Sequence, residues 1–489
     1  MIAPSVRDWV AHAIQDGYCD NVTMRLKGDL YDFPYRRKED GEFVIDARWN
    51  DGTLAFAPGW PAIERFQGNL RFERAGMQVT MRSGRTYGVT LGSTQAHIRD
   101  FLDPLLVVEG GGEGPAQDMI RFVNSTPVAT RIDDFTREAR VDGTAALALK
   151  LELPLDHLDA YRVAGAVRFR GNTLELDRTI PTLSDVSGAL EFSERGMALR
   201  DISATFLDGP LKVRGETPEP GRFVIVGEGT ISADGMRAVV DNPLTRHLEG
   251  SARYRATIDV HRRASSLTIE SDLQGLAAHL PAPFDKPAQR AWPLKVRTEA
   301  AAPADPAARA PRDRVQVTLD DRFRLLLERE RAADSQKLLI RRAAFGIDAE
   351  PELPDRGLSV ALRMPRIDLD HWGRLLGDGA LRDAQGRAAT EFAEGFSLMP
   401  NVVSLQADEI RVGGKDLHRV VVGATRAAGY WRANIHAREV DGYFSWRDAA
   451  PADRAGTLTA RFTRLEIPKS RASEVESLLD TAPESLPAL

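Results

Sequence analysis

A chain of 489 residues exceeds what one hydrophobic core usually serves, so several domains or an extended repeat are expected. Hydrophobic residues make up 43% and charged residues 28%, with 65 basic and 71 acidic side chains giving a net charge of -6. That balance excludes global disorder and the basic footprint of a nucleic-acid binder. Cys19 is the only cysteine, so no intramolecular disulfide forms, and no apolar run reaches the roughly 18 residues of a membrane-spanning helix.

In chain order, Pro4 to Gln15 is expected to be a helix. Pro4 suits its first turn, Trp9, Val10, Ala13 and Ile14 share a face, and Gly17 ends it. Phe43, Ile45 and Ala47 then alternate with charged neighbours, a period-two strand pattern, and strands continue to about His97. HIRDFLDPLLVV is expected to be partly helical, GGGEG (Gly110 to Gly114) a loop, and PAQDMIRFVNST a short helix opened by Pro115. TAALALKLELPL and VAGAVRFRGNTLEL are strands. FVIVGEGTIS is another, followed by a helix around GMRAVVDNPLTRHL. SARYRATIDVH and SSLTIESDLQGL are strands, and LPAPFDKPAQRAWPL is an extended, proline-rich loop. Glu299 to Arg314 is rich in Ala, Pro and charge and is expected to be a flexible loop. Strand patterns resume at Val315, with short helices at LDHWGRLLG and ASEVESLLD.

One stretch returns. Trp60 to Val79 reappears as Pro181 to Leu199, with Ile63 aligned to Leu183, Phe66 to Val186, Gly68 to Gly188, Leu70 to Leu190, Phe72 to Phe192 and Gly76 to Gly196, without a gap. Each copy is strand, glycine turn and further strand. A β unit with one apolar face must bury it against neighbours or a ligand, so the repeat points to stacked units.

Motifs of catalysis are not found. HExxH, CxxC and GxSxG do not occur, and the nine histidines, His97 and His371 among them, never take metal-ligand spacing. GGGEG lacks the Gly-Lys-Ser/Thr ending of a phosphate loop and is best taken as a turn. The carboxylates of Asp156 and Asp159 suit capping of a helix start after Pro154. No enzyme activity, cofactor or metal is expected.

The expected fold is mainly β: an elongated, twisted and curled antiparallel sheet built of repeated units, with a few short helices. Residues 1–130 form a first segment with the opening helix and helical insert, 131–298 a second containing the repeat, 299–314 the loop, and 315–489 a third, truncated at its C-terminal end. No signal peptide is recognised at the start and no cap or closing strand at the end, so a fragment, or a chain begun at an internal methionine, is expected. The one-sided strands leave two possibilities: a core closed by a second layer, or a curled sheet whose inner face stays open to an apolar ligand.

The chain resembles the YhdP-like branch of the AsmA/TamB-like family of Gram-negative envelope proteins. The resemblance rests on SVRDWVAHAIQDG, on Gly-Asp-Leu-x2-Phe-Pro at Gly28 to Pro34, on FAPGWPAIERFQGNLRFERAGM, and on RFVNSTPV. It rests further on GL-x3-LPAP-x2-K at Gly275 to Lys286 and on GYWRANIHAREVDGYFSW. It implies a periplasmic β-groove, anchored to the inner membrane through a part missing here, that moves glycerophospholipids to the outer membrane and supports its integrity. Glycerophospholipids, the two membranes and envelope proteins are the implied partners. Such a groove needs aliphatic side chains at every second residue. Leu70, Phe72, Leu147, Leu149, Leu151, Val167, Phe169, Leu190, Phe192, Leu211 and Val213 meet that need as candidate lining, with Lys150, Arg168 and Glu191 toward solvent. The alternative is a non-enzymatic envelope scaffold or outer-membrane assembly factor with a closed β core.

Overall fold

The structure is a computed structural model that describes residues 12–131, 136–137, 139–175, 181–239, 241–261, 264–301, 312–331, 338–376, 391–393, 396–397, 399–427, 430–447 and 456–466. Packing divides the chain into two units. The first is residues 1–239 with 253–267, the second residues 240–252 with 268–489. Both are mainly β, built largely of antiparallel pairs of strands, and among the described residues no helix is long and apolar enough to cross a membrane.

The first unit opens with β1 (Ile14–Gly28) and β2 (Gly41–Leu54), paired antiparallel. The sequence reading missed β1, although Val22, Met24 and Leu26 alternate, and it carried the opening helix too far. Ile14 and Gln15 are strand, His12 and Ala13 are helical, and residues 1–11 lie outside the described set. The Gly28–Pro34 pattern makes the β1–β2 connection. Asp29 accepts a hydrogen bond from the Tyr31 backbone N–H at 3.0 Å, and the wholly buried Tyr35 packs over the two strand ends. A Cβ at Gly28 would lie 2.8 Å from the Tyr35 ring, and at Gly41 2.7 Å, so only glycine lets that ring settle.

β3 (Ile63–Glu73) and β4 (Gly76–Thr86) form the first repeat copy. β5 (Val89–Leu91), β6 (Thr94–Ile98) and β7 (Leu105–Pro115) follow, so HIRDFLDPLLVV is strand, turn and strand instead of helix. GGGEG lies within β7, and this corrects the expected loop. Gly110 pairs with Leu149 and Gly112 with Leu147, while a Cβ at Gly110 would fall on Thr94 Oγ1. The glycines are there because β7 is pressed between its neighbours.

Helix α1 (Ala116–Asn124) starts after Pro115, as expected, and α2 (Val128–Arg131) is a single turn. β8 (Arg140–Asp142), β9 (Thr144–Pro154) and β10 (Arg162–Glu175) come next. Between the last two, Leu158–Ala160 is a 3-10 turn whose N-cap is His157 with no side-chain cap, so the carboxylates near Pro154 do not cap it. β11 (Leu183–Ser193) and β12 (Gly196–Phe206) form the second repeat copy, each strand matching β3 or β4 in length. β13 (Gly209–Glu219), β14 (Arg222–Ser232) and helix α3 (Ala233–Val239) complete this run.

In the second unit, Leu248, Glu249 and Gly250 of β15 (Leu248–His261) pair with β17 (Leu276–Ala278); β16 (Ala264–Ser271) lies between them in sequence. β18 (Leu294–Ala301) and β19 (Arg312–Leu319) pair from Leu294–Leu319 to Ala301–Arg312. Both ends of the expected 299–314 loop are therefore strand; residues 302–311 lie outside the described set. β20 (Phe323–Arg331), β21 (Leu338–Ile347) and β22 (Gly357–Asp368) follow, then helix α4 (Leu369–Leu376), the short pair β23 (Glu391–Ala393) and β24 (Phe396–Ser397), and β25 (Val402–Val412). The unit ends with β26 (Lys415–Ala427), β27 (Tyr430–His436), β28 (Val440–Arg447) and β29 (Thr457–Leu465). The expected helix at ASEVESLLD lies outside the described residues.

The expected all-antiparallel sheet needs one correction. β22 runs parallel to both β21 and β25. Each of these connections returns the chain to the end from which it started, which a hairpin cannot do. Side-chain alternation is the same in parallel and antiparallel strands, so it gave no warning.

Candidate functional site, an apolar face of the sheet

Residues directly opposite in a ladder share a face, and so do residues two apart along a strand. In the first unit this places all eleven candidate residues on one face. Gly112, Leu147, Val167, Leu190, Leu199 and Gly215 are paired in succession across β7, β9, β10, β11, β12 and β13. Leu149, Leu151, Phe169 and Phe192 lie two or four residues from members of that row, as do Val213 and Leu211 from Gly215. A second row runs Ala47, Leu70, Val79, Ala96, Val108, Leu151, Val163, and a third runs Ile45, Phe72, Met77, Ile98, Leu106, Leu153.

The face is not uniformly buried. Leu211 is 7% exposed, whereas the other ten candidates are half-buried. The gradient has a cause in the backbone. Asn21, Asp51 and Arg65 in β1 to β3, and Gly171, Asp185 and Asp201 in β10 to β12, have positive φ, and each sits at a break in its ladder. Such bulges bend a strand and increase its twist. Arg65 and Asp185 occupy the same place in the two repeat copies, so the bend is repeated with the sequence. Neither residue type announces a bulge, and the sequence reading did not find them.

Beyond the bulges the face closes on itself. Trp49, Phe66 and Met81 form one buried cluster, and Val186, Ile202 and Ala204 another, flanked by Phe169 and Val213. Ala116, Met119 and Ile120 of α1 cover Val141, Ala145, Val167 and Phe169. Gln117 of that helix accepts a 2.9 Å hydrogen bond from the Val141 backbone N–H, which fixes it there. On the near side of the bulges, the rows through Leu149, Leu151 and Phe192 stay half-buried.

The opposite face is polar. Lys150, Arg168 and Glu191 are exposed, as expected. Lys150 pairs with Glu109 at 2.9 Å, Arg200 with Glu191 at 3.3 Å, and Arg71 with Asp46 at 2.9 Å. The Lys150 hydrogen bond holds Glu109 below its ordinary carboxylate range, and the same bond raises Lys150.

The second unit repeats the pattern with residues the sequence reading did not name. Leu319, Phe323, Ile347, Leu362, Leu405, Val422 and Ile435 pair in one apolar row. Phe284 stacks on Phe323 at 4.7 Å and meets Trp372 of α4 edge-on at 5.6 Å, so the loop before β18 and α4 close part of this face. The alternation in RVQVTL and GLSVALRM was the available signal. Among the described residues no cluster of His, Cys, Asp and Glu is arranged to hold a metal ion.

The profile of the family described as YhdP protein matches residues 1–489. The chain belongs to the YhdP family. Its similarity to a curated YhdP relative, the intermembrane phospholipid transporter YhdP of Escherichia coli (strain K12), is 25% identity over 455 residues. That alignment covers 91% of this chain and 34% of the relative, so the chain spans about a third of the length of the YhdP protein it matches. No solved structure matches the chain.

Proposed function

We propose that the half-buried apolar rows of the first unit shelter the acyl chains of glycerophospholipids, and that this chain is a portion of a periplasmic conduit between the inner and outer membranes. The observation that carries this reading is the unbroken apolar pairing from β2 to β10, through Leu70, Val79, Ala96, Val108 and Leu151. The printed activity of the Escherichia coli relative, intermembrane phospholipid transport, supports it. Family membership also supports a role in outer-membrane integrity, exercised without covalent chemistry.

The physical need is large. Each methylene left in water costs about 0.8 kcal/mol, so two acyl chains need shielding worth on the order of 20 kcal/mol. Aliphatic rows supply that without binding any position tightly, which lets a chain slide. Met119 and Ile120 fill the face beside Phe169, so lipid belongs on the near side of the bulges, around Leu149, Leu151 and Phe192.

The test is a photo-crosslinking residue at Leu149 or at Lys150, with the chain expressed in the periplasm of a Gram-negative host and trapped lipid identified by mass spectrometry. Phospholipid at Leu149 and none at Lys150 is expected. Lipid at neither position moves the reading to a closed envelope scaffold.

A further inference from the structure

On the polar face of the second unit, we infer a phosphate-binding site centred on Arg461 of β29. It lies on the side of the sheet away from the apolar row and is independent of the acyl-chain reading.

The charge pattern of this face changes along the unit. On β19 to β21 the arginines are matched by acids. Arg314 and Arg342 share Glu328 at 2.8 and 2.7 Å, and Arg312 and Arg341 share Glu330 at 3.2 and 3.1 Å. On β26 to β29 the compensation stops. Gly423, Asn434, Tyr443 and Arg461 pair in one row, and Thr425, Arg432, Ser445 and Thr459 in the next. These rows hold two arginines, an amide and hydroxyls, and no acid. Among the described residues neither Arg432 nor Arg461 has an ion-pair partner. The neighbouring carboxylate, Asp441, is engaged by His436 at 2.9 Å.

The rows also frame a depression of about 380 Å³, whose lining includes Gly423, Asn434, Tyr443 and Arg461 together with the paired His436 and Asp441. Its floor is open because a Cβ at Gly423 would meet nothing within 4 Å. A ladder irregularity between Asp441 and Gly442 bends β28 against β29 beside it. Donors from Asn434, Tyr443 and Arg461 come from three adjacent strands spaced about 4.8 Å apart, so they span roughly 10 Å. Side chains reaching in from these strands can converge on one anion, and the several acceptor oxygens of a phosphate suit a guanidinium, which grips them in bidentate fashion, with an amide and a hydroxyl beside it. The phosphate is that of a phospholipid headgroup or of a soluble phosphate compound.

The test uses the whole chain with inorganic phosphate, glycerol 3-phosphate and vesicles of phosphatidylglycerol, at constant ionic strength set with chloride. Binding is read by calorimetry for the soluble compounds and by flotation for vesicles. Arg461→Gln is expected to weaken glycerol 3-phosphate binding about tenfold or more, as loss of a charge-assisted contact does. Arg168→Gln, an exposed arginine of the first unit with the same charge change, should leave it unaltered. A matching Arg461-dependent loss on vesicles assigns the headgroup; a loss confined to the soluble compounds assigns a soluble ligand. No phosphate binding by the unaltered chain, or equal loss in both variants, overturns the proposal. Acyl-chain trapping at Leu149 does not depend on Arg461, so the two readings fail separately.

Discussion

The ammonium of Lys286 donates to the carbonyl oxygen of Leu276 at 2.6 Å. It also reaches the carbonyl of Leu273 at 2.8 Å, and the side chain is 2% exposed. Burial pushes its pKa down from the ordinary lysine value, while Asp272 opposes that shift. The backbones of Lys286 and Ala278 also exchange hydrogen bonds, at 2.8 and 2.9 Å. The LPAP-x2-K pattern is thus a staple that ties the loop before β18 to β17. Lys286→Met keeps the apolar stem and strands the carbonyls, so we expect a loss of about 2–4 kcal/mol. Urea unfolding of the chain checks it, and a loss under about 0.5 kcal/mol would mean that water caps those carbonyls instead.

Phe66 packs against Trp49 at a ring distance of 4.8 Å and is 2% exposed. Its aligned partner in the other repeat copy, Val186, is also buried. These positions anchor the closed side of the face, beyond the bulges. Phe66→Ala should cost about 3–5 kcal/mol, the usual range for a large cavity in a filled core. Phe192→Ala, on the half-buried side, should cost clearly less because its pocket is only partly formed. Thermal unfolding of the two variants compares them directly, and equal losses would contradict the division of the face.

What the sequence made legible follows from period two. Leu147, Leu149 and Leu151 alternate with small or charged residues, so their shared face could be read without a structure. The repeat paired Leu70 with Leu190 and Phe72 with Phe192, and all four lie on that face. Three features stayed hidden. Gly110 to Gly114 looked like a turn because composition does not say that a neighbouring strand, carrying Thr94, crowds the backbone. The bulges at Arg65 and Asp185 needed backbone dihedrals that neither residue type demands. The parallel course of β22 depends on where its connections lead, which alternation does not encode.

Glu328 sits between Arg314 and Arg342, and Glu330 between Arg312 and Arg341. The Arg342 hydrogen bond holds Glu328 below its ordinary value of 4.5, and the Arg341 hydrogen bond does the same for Glu330. A carboxylate whose folded pKa is depressed binds protons less readily than in the unfolded chain. Its stabilisation is therefore complete above the unfolded value and lost as pH falls through the folded one. Stability of the chain should hold from about pH 7 to about pH 5 and decline below about pH 4.5. Glu328→Gln should lower stability at neutral pH and flatten the acid limb. A variant whose acid limb matches that of the unaltered protein would show that other carboxylates set it.

Leu149 is flanked across the ladder by Gly110 and Gly165, so it stands between two positions without side chains. Thr94 and the Phe192 ring lie over those glycines, but Leu149 itself is only half-buried, so a carboxylate placed there keeps access to water while lying in the middle of the apolar rows. Leu149→Glu should therefore fold, yet oppose any acyl chain crossing β9, because an unpaired charge against hydrocarbon is costly. Lipid trapping at a crosslinker on Leu151 should fall about tenfold or more in that variant, which corresponds to a penalty of about 1.4 kcal/mol. Lys150→Ala alters the adjacent residue on the other face and breaks only the exposed pair with Glu109, so trapping should persist. If both variants trap lipid equally at Leu151, the acyl chains do not run along this face, and the half-buried rows are then a surface for protein.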